Sequence, residues 1–161
     1  KYNGPVYIRM GRLAVPLLFG EKYHFEIGKA NVLKEGTDVA IMANGLMAAI
    51  AIEAAAELAV EGISVSVVNV ASVKPLDEAT IIRIAKQTKA VVTAEEHTII
   101  GGLGSAIAEV LGEKLPTAMV RVGLKDTFGE SGRPQELLEK YGLTKVDLIK
   151  AVHEVITKKL G

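Results

Sequence analysis

The sequence contains no cysteine, and only 4% of its residues are aromatic. Without cysteine, disulfides, thiolate catalysis and zinc sites built on Cys are excluded. The chain also has no excess of charge, because 19 Lys and Arg residues balance 19 Asp and Glu residues. Nucleic-acid binders need a basic surplus to displace counterions, so we expect no nucleic-acid partner. No apolar run approaches the length of a membrane span and no signal-peptide pattern is present, so we expect a cytoplasmic protein with no membrane partner.

What the chain has in abundance is small and branched apolar residues. Hydrophobic residues make up 49% of its 161 positions, and a chain of this length can build one domain around one sizeable core. Since aromatics are few, that core is expected to consist mainly of Ala, Val, Ile and Leu. The chain begins with Lys1 rather than Met, and we expect it to be a piece of a longer protein.

Strand and helix patterns alternate along most of the sequence. Apolar or β-branched runs predict strands at residues 4–9, 29–33, 38–43, 63–70, 90–94 and 117–122. Helices are predicted after Asn44-Gly45, after an N-cap at Asp77, after Gly104, from Pro134, and after a capping box of Thr144 and Asp147. Such alternation predicts a three-layer α/β/α domain with a mostly parallel sheet.

A charged and glycine-rich segment follows the strand predicted at 90–94. Its candidate functional residues are two acids, an imidazole and three glycines, namely Glu95, Glu96, His97, Gly101, Gly102 and Gly104. Segments of this kind lie at the carboxyl ends of strands, where open α/β sheets meet ligands and partner subunits. Glycines let backbone approach a neighbour closely, and at a helix N-terminus they can form a nest of N–H groups for an anion. We therefore predict either an anion nest or a domain or subunit interface.

The two acids and the imidazole could instead form an acid–base cluster with perturbed pKa values. Neighbours in an extended strand point to opposite faces, however, so only one of Glu95 and Glu96 can face a given site. We favour a structural interpretation, in which one acid caps or pairs locally and the other lines an interface. A dinucleotide-binding turn at Gly102-Leu103-Gly104 is disfavoured, because Ile107 stands where the third glycine is needed.

No spacing of His, Asp or Glu indicates a metal, and no nucleophile elbow is present, so we predict neither a metal site nor a catalytic residue in this chain. Arg9 and Arg12 flank Met10-Gly11 directly after the first predicted strand. Guanidinium groups suit the recognition of phosphate or carboxylate. The spacing alone leaves open whether this pair binds such a group or consists of solvated surface charges.

Several segments carry a resemblance to a known family. They are Gly4-Pro5-Val6-Tyr7-Ile8-Arg9 with Arg12, residues 34–41 with Asn44-Gly45, Val73-Lys74-Pro75-Leu76-Asp77, residues 95–105, Asp126-Thr127-Phe128-Gly129-Glu130-Ser131-Gly132, and Gly142-Leu143-Thr144. In this order the segments resemble the C-terminal part of the transketolase family of thiamine diphosphate enzymes. Residues 128–132 favour transketolase, particularly its split form with a separate C-terminal subunit. They fit less well with deoxyxylulose-phosphate synthase or the beta subunit of 2-oxo-acid dehydrogenases, which share this domain and stay open as alternatives.

The resemblance carries expectations about fold and domains. Residues 1–24 would be the tail of the pyrimidine-binding domain with a linker, and residues 25–161 the transketolase C-terminal domain. Its three-layer α/β/α fold would contain a five-stranded, mostly parallel mixed sheet whose first strand, near 29–33, is antiparallel. Arg12 aligns with a family arginine that contacts the substrate phosphate.

The resemblance also implies a function. The complete enzyme would transfer two-carbon ketol units between sugar phosphates, in the pentose phosphate pathway, using thiamine diphosphate and Mg²⁺ bound mainly outside this chain. Partners would be the N-terminal and pyrimidine-binding domains, or a separate N-terminal subunit, within a homodimer or heterotetramer. This chain alone would be inactive and would support assembly. A function of another class stays open, namely a stand-alone anion-binding or interaction module that uses the nest at 101–105.

Overall fold

The computed structural model describes residues 2–11 and 14–160, which form a five-stranded sheet with helices on both faces. The strands are β1 (Asn31–Lys34), β2 (Val39–Ala43), β3 (Val65–Asn69), β4 (Ala90–Thr98) and β5 (Ala118–Leu124). The helices are α1 (Leu46–Val60), α2 (Glu78–Thr88), α3 (Leu103–Lys114), α4 (Pro134–Lys140) and α5 (Lys145–Leu160).

The sheet has the order β1-β3-β2-β4-β5 and confirms the predicted five-stranded, mostly parallel mixed sheet. β1 pairs antiparallel with β3, whereas the pairs β2–β3, β2–β4 and β4–β5 are parallel. Every residue of β2 and β3 is buried, as expected for parallel strands covered on both faces. Because the parallel strands point the same way, their carboxyl ends meet at one edge of the domain.

Two apolar cores lie on opposite faces of this sheet. α1 and α5 cover one face, where the fully buried Ala48, Ala51 and Ala54 let α1 approach the strands closely. α2 and α3 cover the other face with larger side chains, including Ile81, Ile84 and Ile107. This is the three-layer arrangement that the sequence predicts. No helix within the described ranges combines the length and low polarity that a membrane crossing requires.

The strand predicted at residues 4–9 is wrong, because residues 2–11 contain no strand and their side chains are exposed. A strand exists only where a neighbour accepts and donates its backbone hydrogen bonds, and the described chain offers residues 4–9 no such neighbour. A local sequence pattern does not reveal the missing partner. Arg12, the predicted phosphate contact, lies outside the described residues.

β4 is longer than the strand predicted at 90–94, because it continues to Thr98. β5 likewise continues to Leu124, so that Thr98 pairs with Leu124 after an irregularity in the ladder. The backbone N–H of Ile99 then donates to the carbonyl of Leu124 at 3.0 Å. Glu95, Glu96 and His97 are therefore strand residues rather than loop residues, and the connection to α3 is short.

Asp77 is the N-cap of α2, as predicted, and it also fixes the segment before β1. Its carboxylate accepts hydrogen bonds from the Thr80 N–H at 3.1 Å and from the Ala30 N–H at 3.0 Å. Burial alone raises the pKa of the Asp77 carboxyl, but the hydrogen bonds from Ala30 and Thr80 favour the charged form and hold the pKa below its ordinary value. The ionised carboxylate thus joins two elements that are distant in sequence.

We expect Asp77→Ala to lower the free energy of unfolding at neutral pH by about 1–2 kcal/mol. Because the pKa is lower in the folded state, this contribution is fully present above the unfolded-state pKa of about 4 and is lost as the pH falls through the folded-state value. In urea unfolding, the difference from wild type should shrink at about pH 3. Asp77→Asn is the control, since its amide oxygen keeps an acceptor at all pH values. A difference for Asp77→Ala that is equally large in acid would contradict this role.

Candidate functional site

The carboxylate of Glu95 lies at the N-terminus of α3. Its Oε2 accepts a hydrogen bond from the Leu103 N–H at 2.8 Å, and its Oε1 accepts one from the Gly104 N–H at 2.8 Å. The residue is only 1% exposed. A helix N-terminus favours a negative charge because its N–H groups are unpaired and the helix dipole is positive there. The chain's own carboxylate therefore uses two of the N–H groups that an anion nest would offer to an external ligand.

The structure gives a separate reason why each of the positions 101, 102 and 104 is a glycine. Gly101 has φ +72°, a backbone conformation that side chains disfavour. A Cβ on Gly102 would lie 2.0 Å from Glu95 Oε2. A Cβ on Gly104 would lie 2.7 Å from Thr93 Oγ1, a buried hydroxyl without a hydrogen-bond partner in the described chain. The glycines thus allow close approach to the protein itself.

Glu96 and His97 lie in different surroundings from Glu95. Glu96 is half-buried, and its carbonyl accepts a hydrogen bond from Arg9 Nη2 at 2.7 Å. His97 is exposed, with Nδ1 3.0 Å from the Thr98 carbonyl and 4.0 Å from Glu95 Oε2. Since both Glu95 oxygens are already bonded to backbone, the three residues are arranged for structure rather than for proton transfer between them. The contact from Arg9 places the N-terminal segment beside the end of β4.

Arg121 and Ser105 hold the turn between β4 and α3, a role that was not predicted from the sequence. Arg121 Nη1 donates to the Ile99 carbonyl at 2.9 Å, and Ser105 Oγ donates to the same carbonyl at 2.9 Å. The Gly101 N–H donates to Ser105 Oγ at 2.9 Å. The sequence signal for such a contact is a polar residue, here Arg121, in the strand that neighbours a glycine-rich turn.

The segment 126–132 follows β5 at the same edge and is attached to the end of α4. Tyr141 Oη donates to the Phe128 carbonyl at 3.3 Å and lies 3.1 Å from Glu130 Oε1. Lys140 Nζ lies 2.5 Å from the same carboxylate oxygen. The hydrogen bond from Lys140, followed by that from Tyr141, lowers the pKa of the Glu130 carboxyl. The backbone of Phe128 is held while its side chain is 96% exposed.

Large apolar side chains are exposed around this edge, and we call them the carboxyl-edge apolar surface. It comprises Tyr7 (88% exposed), Ile8, Met10, Ile100 and Phe128. Ile100 follows β4, Phe128 follows β5, and the Arg9–Glu96 bond brings the N-terminal residues to β4. Several exposed apolar side chains near one another are typical of interaction sites. This geometry supports the docking of a partner more directly than it supports a catalytic role.

The described residues do not fit a magnesium–diphosphate site. Among residues 2–11 and 14–160, no three His, Asp or Glu side chains lie where they could share a metal ion. The glycine-rich N-terminus of α3 resembles a phosphate site in sequence, but Glu95 fills it.

Comparisons with known proteins agree with the fold. Residues 28–148 match the family model described as transketolase, C-terminal domain. A 6-deoxy-6-sulfo-D-fructose transketolase subunit from a Clostridium species is 50% identical over 98% of this chain and 49% of its own length. A 1-deoxy-D-xylulose-5-phosphate synthase from Heliobacterium modesticaldum is 40% identical over 96% of this chain and 24% of its own length.

A solved structure described as a split-gene transketolase, inactive beta4 tetramer, superposes with a TM-score of 0.94. It is 56% identical in sequence and covers 97% of this chain and 51% of its own. The chain thus spans about half the length of these transketolase relatives. With a matching family model and a near-identical fold, the chain belongs to the transketolase C-terminal domain family.

Proposed function

We propose that this chain is the C-terminal part of a thiamine-diphosphate-dependent transketolase that transfers two-carbon ketol units between sugar phosphates. Its role is to complete the assembly and to position the substrate phosphate. The observation that carries the proposal is the carboxyl-edge apolar surface, which a free-standing domain would leave in water. The cofactor supplies the carbanion chemistry and is held, with Mg²⁺, by the other half of the enzyme.

Several polar residues of this chain hold the docking surface in place. Glu95 fixes the N-terminus of α3, and Arg121 and Ser105 fix the turn before it. This frame presents Ile100 outward, and the hydrogen bond from Tyr141 to the Phe128 carbonyl holds Phe128 with its side chain exposed. An ordered docking surface lowers the entropy lost on association. The N-terminal or pyrimidine-binding domains, as one chain or as a separate subunit, are the partner.

Reconstitution tests the proposal. The 161-residue chain is mixed with a purified N-terminal transketolase half encoded by the same genome, which comprises the N-terminal and the pyrimidine-binding domains, with thiamine diphosphate and Mg²⁺ present. Ketol transfer from a ketose phosphate to an aldose phosphate should arise only in the mixture. A stable complex that makes deoxyxylulose phosphate instead would favour the synthase, which the Heliobacterium relative represents. Failure of the two halves to associate would contradict the assembly role.

We expect Glu96→Ala combined with His97→Ala to weaken assembly while the domain stays folded. Neither side chain belongs to the apolar cores, and surface changes of this kind cost within about 0.5 kcal/mol of stability. Sedimentation velocity should show dissociation of the complex at higher protein concentration than for wild type. The matched control is Glu61→Ala with His153→Ala, an exposed pair 3.1 Å apart between α1 and α5. If the Glu96–His97 variant assembles normally but loses activity, the site acts in catalysis and the interface role is wrong.

We expect Arg12→Ala to weaken the use of phosphorylated substrates in the reconstituted enzyme. A lost charge-assisted hydrogen bond costs about 1.5–3 kcal/mol, equivalent to roughly a 10- to 150-fold loss of kcat/KM. Non-phosphorylated donors should be affected far less, because the contact is distant from the reacting carbons. Arg83→Ala, at an exposed position on α2, is the control. Equal losses for both kinds of donor would show that Arg12 does not recognise phosphate.

A further inference from the structure

β5 is an edge strand whose outer side is unpaired. It pairs with β4 alone, and within the described chain no hydrogen bond from another segment reaches its outer backbone groups. In such a strand every second residue turns its N–H and C=O away from the sheet, so the edge can accept a further strand. β5 has seven residues, which is ample length for such pairing.

A groove follows the first part of this edge, along residues 116–121. It consists of two adjoining cavities of about 650 and 450 Å³. The first is lined by residues 119–121 of β5, with α3 on one side and α5 on the other. The second begins where β5 begins, at residues 116–118, and Lys158 of α5 lines both. The groove therefore exposes the strand edge between two helix walls.

The groove is basic although the chain as a whole is neutral. Its cationic lining side chains are Lys86, Lys89, Arg121, Lys125, Lys158 and Lys159, and its acidic ones are Glu109 and Glu154.

The acids do not cancel this charge. Glu154 pairs with Lys158 at 2.7 Å and offsets its charge. Glu109 offsets one further cation, so that six cationic and two acidic side chains leave an excess of four positive charges. Lys159 is bound to the carbonyls of Asp38 and Thr88. Lys86, Lys89 and Lys125 form no ion pair with any described residue. The groove thus keeps a positive potential along an open strand.

We propose that an extended acidic segment of a partner protein binds this groove and adds to the sheet as a sixth strand beside β5. The open backbone supplies main-chain hydrogen bonds, and the lysines supply electrostatic attraction and selectivity for acidic side chains. A second copy of β5 is a poor occupant, because it would bring the same cationic groove against itself. A small free anion is also a poor occupant, because it would bind the lysines but leave the backbone groups of the strand edge unpaired.

Fluorescence anisotropy of the 161-residue chain tests the proposal with a labelled peptide in which Val and Glu alternate over the length of β5. The peptide should bind, and more weakly as salt increases. A second peptide has the same sequence but is N-methylated at alternate residues, so that it keeps its charge and cannot pair with a strand edge. It should bind at least about tenfold more weakly than the unmodified peptide. Equal binding of the two peptides, or no binding of either, would overturn strand addition.

Charge reversal in the groove provides the second arm. Lys86→Glu combined with Lys89→Glu should weaken binding of the unmodified peptide by about tenfold or more. The control reverses two exposed lysines outside the groove, Lys22→Glu with Lys150→Glu, and changes the net charge equally. Similar loss in both variants would show a general charge effect and contradict a specific site.

Binding to the assembled enzyme tests whether the bound segment belongs to a separate partner protein or to the enzyme itself. The peptide should still bind after the chain has associated with its N-terminal transketolase half. Loss of peptide binding on assembly would show that the enzyme covers β5 itself and would overturn a separate partner. A dimer of the isolated chain that dissociates in proportion to peptide binding would show that a second copy occupies the edge, with the same consequence.

Discussion

Gly36→Ala should prevent the domain from folding stably, with a loss of more than about 4 kcal/mol in the free energy of unfolding. Gly36 is buried in the turn between β1 and β2. A Cβ there would lie 2.2 Å from the Val65 carbonyl carbon and 2.4 Å from the Ser66 N. These are backbone atoms of β3, and β3 cannot move away because Val65 and Ser66 pair with Val39 and Ala40 of β2. The methyl group must therefore break either the turn or the centre of the sheet.

Gly112→Ala is the matched control, since the same substitution meets nothing within 4 Å in α3. Alanine in a helix interior is favoured over glycine by about 0.5–1 kcal/mol, so this variant should be slightly more stable than wild type. Urea unfolding followed by circular dichroism measures both. A stable Gly36→Ala domain with an unchanged midpoint would show that the β1–β2 turn can move away from β3.

The order of elements could be predicted because it depends on local patterns. Buried parallel strands appear as continuous apolar runs, as at Val39–Ala43 and Val65–Asn69. Caps have short-range chemistry, and both Asp77 and the Thr144–Asp147 box act as predicted. The strand predicted at 4–9 failed because an apolar run does not show whether a neighbouring strand exists. The antiparallel β1 came from family resemblance, since no local pattern gives strand direction.

The candidate site could be located from sequence but not assigned. The glycines and the acids of residues 95–104 mark a close approach at a strand end, and both structural alternatives, nest and interface, depend on that feature. What the sequence does not give is the distance between Glu95 and the N-terminus of α3, which is set by the extension of β4 to Thr98. The local sequence is the same whether the carboxylate binds a helix N-terminus of its own chain or stays free for a partner. Only the fold distinguishes them.

Glu95→Ala should lower the free energy of unfolding by about 3 kcal/mol, because it leaves the buried N–H groups of Leu103 and Gly104 without their acceptor. In a domain of this size that loss corresponds to a fall in Tm on the order of 10 °C. Gly102→Ala should also destabilise. Its backbone conformation suits alanine, with φ −97° and ψ −155°, but the added Cβ would lie 2.0 Å from Glu95 Oε2. The carboxylate cannot turn away without losing its two hydrogen bonds.

The two substitutions should therefore be strongly non-additive. When Glu95 is already alanine, the contact with its carboxylate is gone and only the 2.9 Å approach of the Cβ to the Thr98 carbonyl oxygen remains. The cost of Gly102→Ala should therefore fall by about 1–3 kcal/mol. Urea unfolding of the wild type, both single variants and the double variant measures this coupling. The matched cycle combines Gly102→Ala with Glu96→Ala and should be additive, because the Glu96 carboxylate makes no hydrogen bond to the N-terminus of α3 in the described chain. Additive effects for Glu95 and Gly102 would mean that the carboxylate has other positions of equal stability, and that the N-terminus of α3 is free to receive an external anion after all.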